Sequence, residues 1–162
     1  LSDILGVQKE ISLTASNNKP AFEADRNHFI TKELEGEVDY GESMTMVYRS
    51  EDSAQILDVQ NRSCNMAVNT FGKGRSVYFA GMPYNATNAR LLYRAIFWAA
   101  SREDAMEAFY SDNKEVECNA YPEAGRFCAV NNSTDVQKAN IKVNGKEIAV
   151  VLKPMECKWM NI

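Results

Sequence analysis

The chain has 162 residues, of which 45% are hydrophobic and 25% charged, with a net charge of −4 at pH 7. These proportions are typical of a globular protein with one domain, or with one medium and one small domain. A pI near 5.1 argues against a nucleic-acid partner. No apolar stretch approaches the length of a membrane span and no signal peptide opens the chain, so we expect a cytoplasmic protein without a membrane partner.

The first forty residues predict few regular elements. The opening LSDILGV reads as a helix end or a turn that runs into Gly6, and residues 11–14 read as a short strand followed by a polar loop at 16–20. His28 is the only histidine, and no serine or cysteine stands in a recognisable nucleophile setting for it to activate. We therefore expect His28 to be a packed or surface ring.

Four acidic residues alternate with other residues, and a strand here would place all of them on one face: Glu33, Glu35, Glu37 and Asp39. Two carboxylates on one face could perform acid–base catalysis. A solvated edge strand, kept soluble by its charges, is the simpler interpretation. The pattern therefore predicts a charged edge strand.

Residues 64–100 form the most informative stretch, with the order strand, tight turn, strand, loop and helix. Residues 64–69 alternate as a half-buried strand does. Gly72-Lys73-Gly74 supplies backbone that can take positive φ, so we expect positive φ at Gly72, at Gly74 or at both. The unbroken apolar run 77–80 predicts a central strand that is buried on both faces.

The helix that follows begins after a cap at Asn85 or Thr87. One stripe of residues at helical spacing is expected to face the core: Asn88, Leu91, Leu92, Ala95, Ile96 and Ala99. Tyr93, Phe97 and Trp98 widen the apolar surface beyond that stripe. The helix is therefore expected to have a second packing partner.

The basic residues of this stretch do not predict a phosphate loop. A Walker loop needs Gly-Lys followed by Ser or Thr and then a helix, whereas Lys73 is followed by Gly74 and a strand. Loop 81–86 joins a strand's carboxyl end to a helix N-terminus and is a weak candidate for a ligand edge. Turn and helix-surface charges are the simplest interpretation of the basic residues Lys73, Arg75, Arg90 and Arg94.

The four cysteines are Cys64, Cys118, Cys128 and Cys157. No two of them show the two-residue gap of a zinc knuckle or a redox dithiol. The first three lie in alternating, strand-like segments, where a free thiol behaves as a small buried hydrophobic group. We expect reduced structural thiols and no metal site.

Beyond residue 100 the pattern changes from helix to strand. SREDAMEAF predicts a short helix capped by Ser101, and residues 110–113 read as a boundary. About five strands follow, with a hairpin at Asn144-Gly145. The expected fold is α+β: a strand-rich mixed sheet with one main packed helix in residues 1–110, then a small antiparallel β-sandwich-like domain in residues 111–162, which should dock on the first part.

The run FGKGRSVYFAGMPYNATNARLLYRAIFWAA resembles the closing strand and helix of the amidotransferase-like domain attached to several glycoside-active enzymes, and LSDILGV resembles a segment upstream of that unit. With AFYSDN and the tail NNSTDVQKANIKV…VVLKPMECKWMNI, nearly the whole chain resembles the C-terminal portion of the galacto-N-biose/lacto-N-biose phosphorylases, including their galactosyl-rhamnose relatives. Because the chain starts at Leu1 instead of Met, we expect a processed chain or a piece of a longer one.

The resemblance implies an upstream catalytic barrel, an amidotransferase-like middle domain and a small β domain. It also implies phosphorolysis of a β-galactoside with inversion to α-galactose 1-phosphate, a reaction of the glycosyltransferase class in carbohydrate metabolism. The barrel would carry the general acid, the phosphate ligands and the sugar pocket, so no catalytic, cofactor-binding or metal residue is assigned here. We expect an inactive piece with an architectural or subunit-contact role. Its candidate partners are the barrel and a second copy of the chain.

Two alternatives remain from the residues. The aromatic residues Trp159, Tyr121 and Phe127 could stack a sugar ring, which would make the tail a carbohydrate-binding accessory module, although aromatic residues in strand-like segments are more often core. An exposed aromatic platform would favour binding. An independent amidotransferase-like enzyme is disfavoured because the nucleophile elbow is missing.

Overall fold

The computed structural model describes residues 1–11 and 24–162, so the predicted strand at 11–14 and the loop at 16–20 lie almost wholly outside the described residues. The fold is α+β, and contacts divide the chain into two units, Leu1–Ser101 and Arg102–Ile162. No helix in the described part of the chain is long and apolar enough to cross a membrane. The elements of the first unit are α1 (Ser2–Leu5), β1 (Val7–Lys9), β2 (Val47–Arg49), β3 (Gln55–Gln60), β4 (Ser63–Phe71), β5 (Gly74–Phe79) and α2 (Ala86–Ala99).

The main sheet of the first unit is antiparallel, in the order β3-β4-β5. The central strand is β4, which is buried over 63–69, and not β5 as the apolar run predicted. β5 lies at an edge in the described sheet, and its residues are half-buried because cores on both faces cover it only partly. Val77 and Phe79 pack on the core that contains α2, and Tyr78 packs on the core beneath β1 and β2.

Two tight turns connect the strands of this sheet. Asn61 and Arg62 join β3 to β4 with φ of 50° and 61°, the pair of positive φ angles that a type I′ hairpin requires. Gly72 has φ of 59° in the two-residue turn between β4 and β5, while Gly74 already pairs with Phe71. The expectation of positive φ is confirmed at Gly72.

Helix α2 begins as predicted, because the side chain of Asn85 accepts a hydrogen bond from the backbone N–H of Asn88 at 2.8 Å. Its buried face differs from the predicted stripe and consists of Asn88, Leu91, Arg94, Ala95 and Trp98. The apolar pattern missed Arg94 because a long basic side chain normally reaches solvent. With Arg94 facing the core, Leu92 and Ile96 turn outward and are 43% and 57% exposed.

The predicted acidic strand is absent from the described structure, where 33–40 is irregular. Gly36 has a φ of 75°, which lies outside the range of a β-strand. Apolar residues anchor the segment instead. Val38 and Tyr40 are buried in the core that contains α2, and Leu34 packs against that core. The alternation of charges therefore reflects apolar anchors between solvated side chains.

The second unit contains one short helix and two three-stranded antiparallel sheets, in the orders β10-β9-β6 and β11-β8-β7. Apolar residues of both sheets form one core, which includes Val116, Phe127, Ile141 and Leu152. The elements are α3 (Glu103–Ala108), β6 (Phe109–Ser111), β7 (Val116–Tyr121), a 3₁₀ turn (Pro122–Ala124), β8 (Arg126–Asn131), β9 (Gln137–Val143), β10 (Lys146–Leu152) and β11 (Cys157–Asn161).

Two local predictions in this region have different outcomes. The Asn144-Gly145 hairpin is confirmed, with φ of 47° and 82° between the paired residues Val143 and Lys146. The cap at Ser101 is wrong. Ser101 takes φ of 54° just after α2, and α3 starts from Arg102 without a side-chain cap hydrogen bond.

Candidate functional site

Asp58 is the most buried carboxylate described, and three neighbouring side chains surround it. Arg26 forms a close ion pair with its Oδ1, and the Tyr40 hydroxyl donates to Oδ2 at 2.9 Å. Gln60 donates to the same oxygen at 3.5 Å and to the carbonyl of Val38 at 2.8 Å. Each of these bonds connects β3 to the irregular segment 24–46. Asp58 therefore attaches that segment to the sheet.

The environment of Asp58 also acts on Tyr40. Burial, and then the negative charge of Asp58, raise the pKa of the Tyr40 phenol well above its ordinary value. Tyr40 therefore stays protonated and keeps donating to the carboxylate throughout the physiological range. A carboxylate that already accepts from an arginine, a tyrosine and a glutamine is poorly placed to accept a proton from a substrate.

Arg94 is 1% exposed and contacts the same segment between Arg26 and Tyr40. Its Nη1 lies 2.9 Å from Glu33 Oε1, its Nε donates to the carbonyl of Phe29, and its guanidinium lies 4.2 Å from the centre of the Phe29 ring. The interpretation of Arg94 as a surface charge is therefore wrong. Of the four predicted acidic residues, only Glu33 is shown in an ion pair, and it is a structural one.

The remaining candidates from the acidic pattern are not brought together. Glu35, Glu37 and Asp39 are exposed along the irregular segment. Asp39 accepts a hydrogen bond at 2.8 Å from the backbone N–H of Gly41, the geometry of a local turn. The described structure therefore does not pair these carboxylates across a cleft.

His28 is a packed ring, as expected. It meets Trp98 edge-on with 5.1 Å between ring centres, and its Nδ1 accepts a hydrogen bond from the backbone N–H of Ile30 at 3.2 Å. Arg75, predicted to be a turn charge, also lies against Trp98, at 5.0 Å from the ring centre, and donates to the Trp98 carbonyl at 2.9 Å. Both residues therefore pack against the C-terminal end of α2.

Loop 81–86, the predicted ligand edge, is occupied by the chain itself. A Cβ at Gly81 would lie 2.1 Å from the carbonyl oxygen of Tyr40, so only glycine permits this approach. Asn88 donates to the carbonyls of Asp39 and Pro83 at 2.8 and 2.7 Å. The start of α2 therefore holds the neighbouring segment.

A cluster of two half-exposed aromatic rings and an arginine lies in the second unit. Trp159 on β11 and Tyr121 on β7 are each 49% exposed, and their ring centres lie 5.3 Å apart with the planes tilted by 38°. Arg126 on the strand between them lies 5.3 Å from the centre of the Trp159 ring. We call these three residues the aromatic platform.

Strand register determines what surrounds the aromatic platform. Trp159 is opposite Cys128 and Tyr121 is opposite Arg126. Because side chains alternate between faces, several polar residues share the platform's face of the sheet: Glu117, Asn119, Arg126 and Asn161. Phe127 points the other way and is fully buried in the core, so it is not part of the platform.

The thiols fall into two groups. Burial raises the pKa of Cys64 to about 12 and that of Cys118 to about 11. Cys128 and Cys157 are a close pair, with 3.0 Å between their sulfur atoms and no bond. Among residues 1–11 and 24–162, no three metal-binding side chains converge.

The sequence predicts the strands that carry Cys128 and Trp159, but it does not predict the contacts between distant residues at these sites. The alternating pattern of β8 and β11 places Cys128 and Trp159 on strands, but which residues face each other depends on the pairing of strands 30 residues apart. The contacts of Arg94 and Asp58 join positions up to 65 residues apart in sequence and follow no local period. No local signal could have found them.

Comparison with known proteins places both units in one family. The family model of the lacto-N-biose phosphorylase central domain matches residues 1–104, and that of the C-terminal domain matches residues 109–160. The chain belongs to the lacto-N-biose phosphorylase family, as the resemblance implied.

Three curated relatives illustrate the family. Over 162 residues and 99% of the chain, it is 42% identical to a 1,3-beta-galactosyl-N-acetylhexosamine phosphorylase of Lachnoclostridium phytofermentans. It is 31% identical, over 87% of the chain, to the 1,3-beta-galactosyl-N-acetylhexosamine phosphorylase of Bifidobacterium longum. It is 25% identical, over 90% of the chain, to a D-galactosyl-beta-1->4-L-rhamnose phosphorylase of L. phytofermentans. The matched regions cover 22%, 23% and 20% of these relatives, so the chain spans about a fifth of their length.

Proposed function

We propose that residues 1–110 and 111–162 are two non-catalytic domains of a cytoplasmic β-galactoside phosphorylase, the second of them a small β-sandwich. The parent protein would belong to the glycosyltransferase class and release α-galactose 1-phosphate, with its chemistry in an upstream barrel. The consecutive match to central and C-terminal domains carries this proposal. No catalytic, cofactor or metal residue is assigned to this part of the protein.

The bonds of the buried charged groups support a structural role. Asp58 and Arg94, the groups whose burial would suit catalysis best, are bonded to side chains of their own unit. Their partners hold an irregular segment against the sheet. The proposed domain therefore uses its buried charges for its own architecture.

The outer face of α2 supports a contact role. Leu92, Tyr93 and Ile96 are 43 to 57% exposed on a helix whose opposite face is already packed. Large apolar groups clustered on one helix face are typical of interaction surfaces. The occupant we propose is the rest of the phosphorylase chain, which makes up about four-fifths of the relatives' length.

The activity test is direct. Phosphorolysis needs an acid for the leaving oxygen, donors for phosphate and a grip on the sugar, all in one pocket. We expect the isolated chain, incubated with lacto-N-biose and phosphate, to release no galactose 1-phosphate above blank, while a full-length relative serves as the positive control. Turnover that scales with chain concentration and disappears in the variant with Glu35→Gln, Glu37→Gln and Asp39→Asn would refute the proposal.

The aromatic platform favours a second candidate function, binding of a carbohydrate. Trp159 and Tyr121 offer half-exposed rings on a sheet face that also carries amide, carboxylate and guanidinium groups. Aromatic rings cover the apolar C–H face of a sugar, and polar neighbours can bond its hydroxyl groups. We propose a β-galactosyl disaccharide as the ligand class, since the relatives are named as galactoside phosphorylases.

Titration of the chain with lacto-N-biose, followed by tryptophan fluorescence, tests this candidate. We expect saturable binding that Trp159→Ala weakens by about tenfold, which corresponds to roughly 1.4 kcal/mol of lost aromatic contact. Tyr84→Ala removes a ring that is 94% exposed in the other unit and should leave the affinity unchanged. Absence of saturation, or equal affinity in the Trp159→Ala variant measured by calorimetry, would exclude the platform as a sugar site.

A further inference from the structure

The second unit contains a pair of thiols whose geometry the proposed functions do not use. The sulfur atoms of Cys128 and Cys157 lie 3.0 Å apart and share a hydrogen bond. Unbonded carbon atoms rest roughly 3.5–4.0 Å apart, and sulfur is the larger atom. The pair is therefore closer than ordinary packing, at a distance from which a bond of roughly 2.05 Å needs little movement.

Strand register explains why these two thiols meet. Cys157 on β11 is opposite Val130, and Cys128 on β8 is opposite Trp159. The two cysteines are thus diagonal neighbours on one face of an antiparallel pair, a relation in which side chains can reach each other. β11 is an edge strand of its sheet, paired with β8, and has only five residues, so it can shift to bring the sulfur atoms together.

The two thiols differ in access, which assigns them different roles. Cys157 is exposed, whereas Cys128 is 3% exposed. Burial, and next the neighbouring thiol of Cys157, raise the pKa of Cys128 to about 12, so it stays protonated at neutral pH. A dissolved oxidant therefore meets Cys157 first.

We propose that Cys128 and Cys157 form an oxidisable dithiol, which a small-molecule disulfide such as oxidised glutathione converts into a cross-strand disulfide between β8 and β11. Cys157 is the attacking residue and Cys128 the resolving residue. The proposal concerns the chain itself and holds whether or not the parent protein is a phosphorylase.

The two exchange steps balance. The thiolate of Cys157 attacks one sulfur of oxidised glutathione, the glutathione S–S bond breaks, and one glutathione thiolate leaves. The sulfur of Cys128 loses its proton to that thiolate or to solvent and attacks Cys157, which releases the second glutathione. Two protein thiols are oxidised to one disulfide, and one glutathione disulfide is reduced to two thiols.

The bond would form next to the aromatic platform. Cys157 lies two residues before Trp159 on β11, and Cys128 is the cross-strand partner of Trp159. A disulfide would also close the loop that contains β9 and β10, which restricts the unfolded chain. Oxidation should therefore change the fluorescence of Trp159 and raise the Tm of the second unit.

The experiment begins with fully reduced chain and adds oxidised glutathione, followed by acid quenching, unfolding and thiol counting. We expect the count to fall from four to two, with no glutathione retained. Trypsin cuts after lysines between the two cysteines, so a linked pair of peptides that separates on reduction identifies the bond. In Cys128→Ser the resolving thiol is gone, and a glutathione adduct on Cys157 should accumulate.

Cys118→Ser is the matched control, because Cys118 is on a neighbouring strand opposite Ala129 and therefore lies on the other face of the sheet from Cys128 and Cys157. It should oxidise like the wild type. Cys157→Ser changes an exposed side chain and should keep its three thiols. A wild-type count that stays at four, a bond that involves Cys118, or equal thiol loss in the Cys157→Ser variant would overturn the proposal.

Discussion

Two regions of the first unit are folded by different means. The β3-β4-β5 sheet and α2 are regular elements, held by backbone hydrogen bonds and by a shared apolar core. The segment 24–46 is mostly irregular, and buried charged side chains hold it in place. The order of this segment, which has little secondary structure, therefore depends on two residues of the sheet and helix beneath it, Asp58 and Arg94.

The strongest test of this comparison is Asp58→Ala. Loss of the carboxylate leaves the buried hydroxyl of Tyr40 without its acceptor and Arg26 without its counter-ion. We expect a loss of about 3 kcal/mol in the free energy of unfolding, measured by chemical denaturation. Asp52→Ala removes a fully exposed carboxylate 4.0 Å from Arg49 and should cost less than about 0.5 kcal/mol. Equal losses in the two variants would contradict a structural role for Asp58.

Arg94→Met and Arg90→Met separate a buried from a partly exposed arginine on the same helix. Arg94→Met keeps the length of the stem but removes the bonds to Glu33 and to the Phe29 carbonyl. Because Glu33 is 35% exposed and can turn to water, we expect a cost of about 2 kcal/mol, against less than about 1 kcal/mol for Arg90→Met. If Arg90→Met lowered the denaturation midpoint more than Arg94→Met, Arg94 would behave as a surface charge and its structural role would be contradicted.

Alkaline pH should weaken the attachment of segment 24–46. The pKa of Tyr40 is raised in the folded state, so above the ordinary value near 10 the unfolded chain loses this proton first and stability falls. The stability advantage of wild type over Tyr40→Phe should therefore be full below pH 10 and shrink above it, by up to about 1.4 kcal/mol per pH unit. Tyr84→Phe, at an exposed ring, supplies the control series. An advantage that stays constant from pH 8 to 11 would show that Tyr40 titrates normally.

The smallest effect concerns the hairpin turn in the regular region. Gly72→Ala places a side chain at φ of 59° and should cost about 1 kcal/mol. Gly74→Ala should cost less than about 0.5 kcal/mol, because its Cβ would meet only the Phe71 carbonyl at an ordinary 3.5 Å. A larger loss of stability in Gly74→Ala than in Gly72→Ala would contradict this, because it would show that the strained position is Gly74 and not Gly72.

The same contrast explains what could be predicted from the sequence. The hairpins at Asn61-Arg62 and Asn144-Gly145 and the cap at Asn85 were predictable because a few adjacent residues determine each of them. The acidic strand failed because alternation does not reveal whether a partner strand exists. The rotation of α2 about its axis also escaped the apolar pattern, since Arg94 is buried only by residues far away in sequence.

The candidate site shows the same limit. Trp159 and Tyr121 could be proposed as ring-binding residues from their types, but their exposure depends on which sheet face the core occupies. Phe127 has the same apolar character and lies on the covered face. Alternation separates the two faces of a strand without telling which of them is solvated.

The contacts of Arg94 with Phe29 and Glu33 also have a kinetic consequence, because they span 65 and 61 residues of chain. Hairpins close within microseconds, whereas contacts of such sequence separation require a large loop to be ordered first. The segment 24–46 should therefore dock late in folding and detach early, as a partial opening that leaves the sheet intact. Amide hydrogen exchange would then be faster at residues 26–40 than in β4, even though Ile30 and Val38 are as deeply buried as the sheet itself.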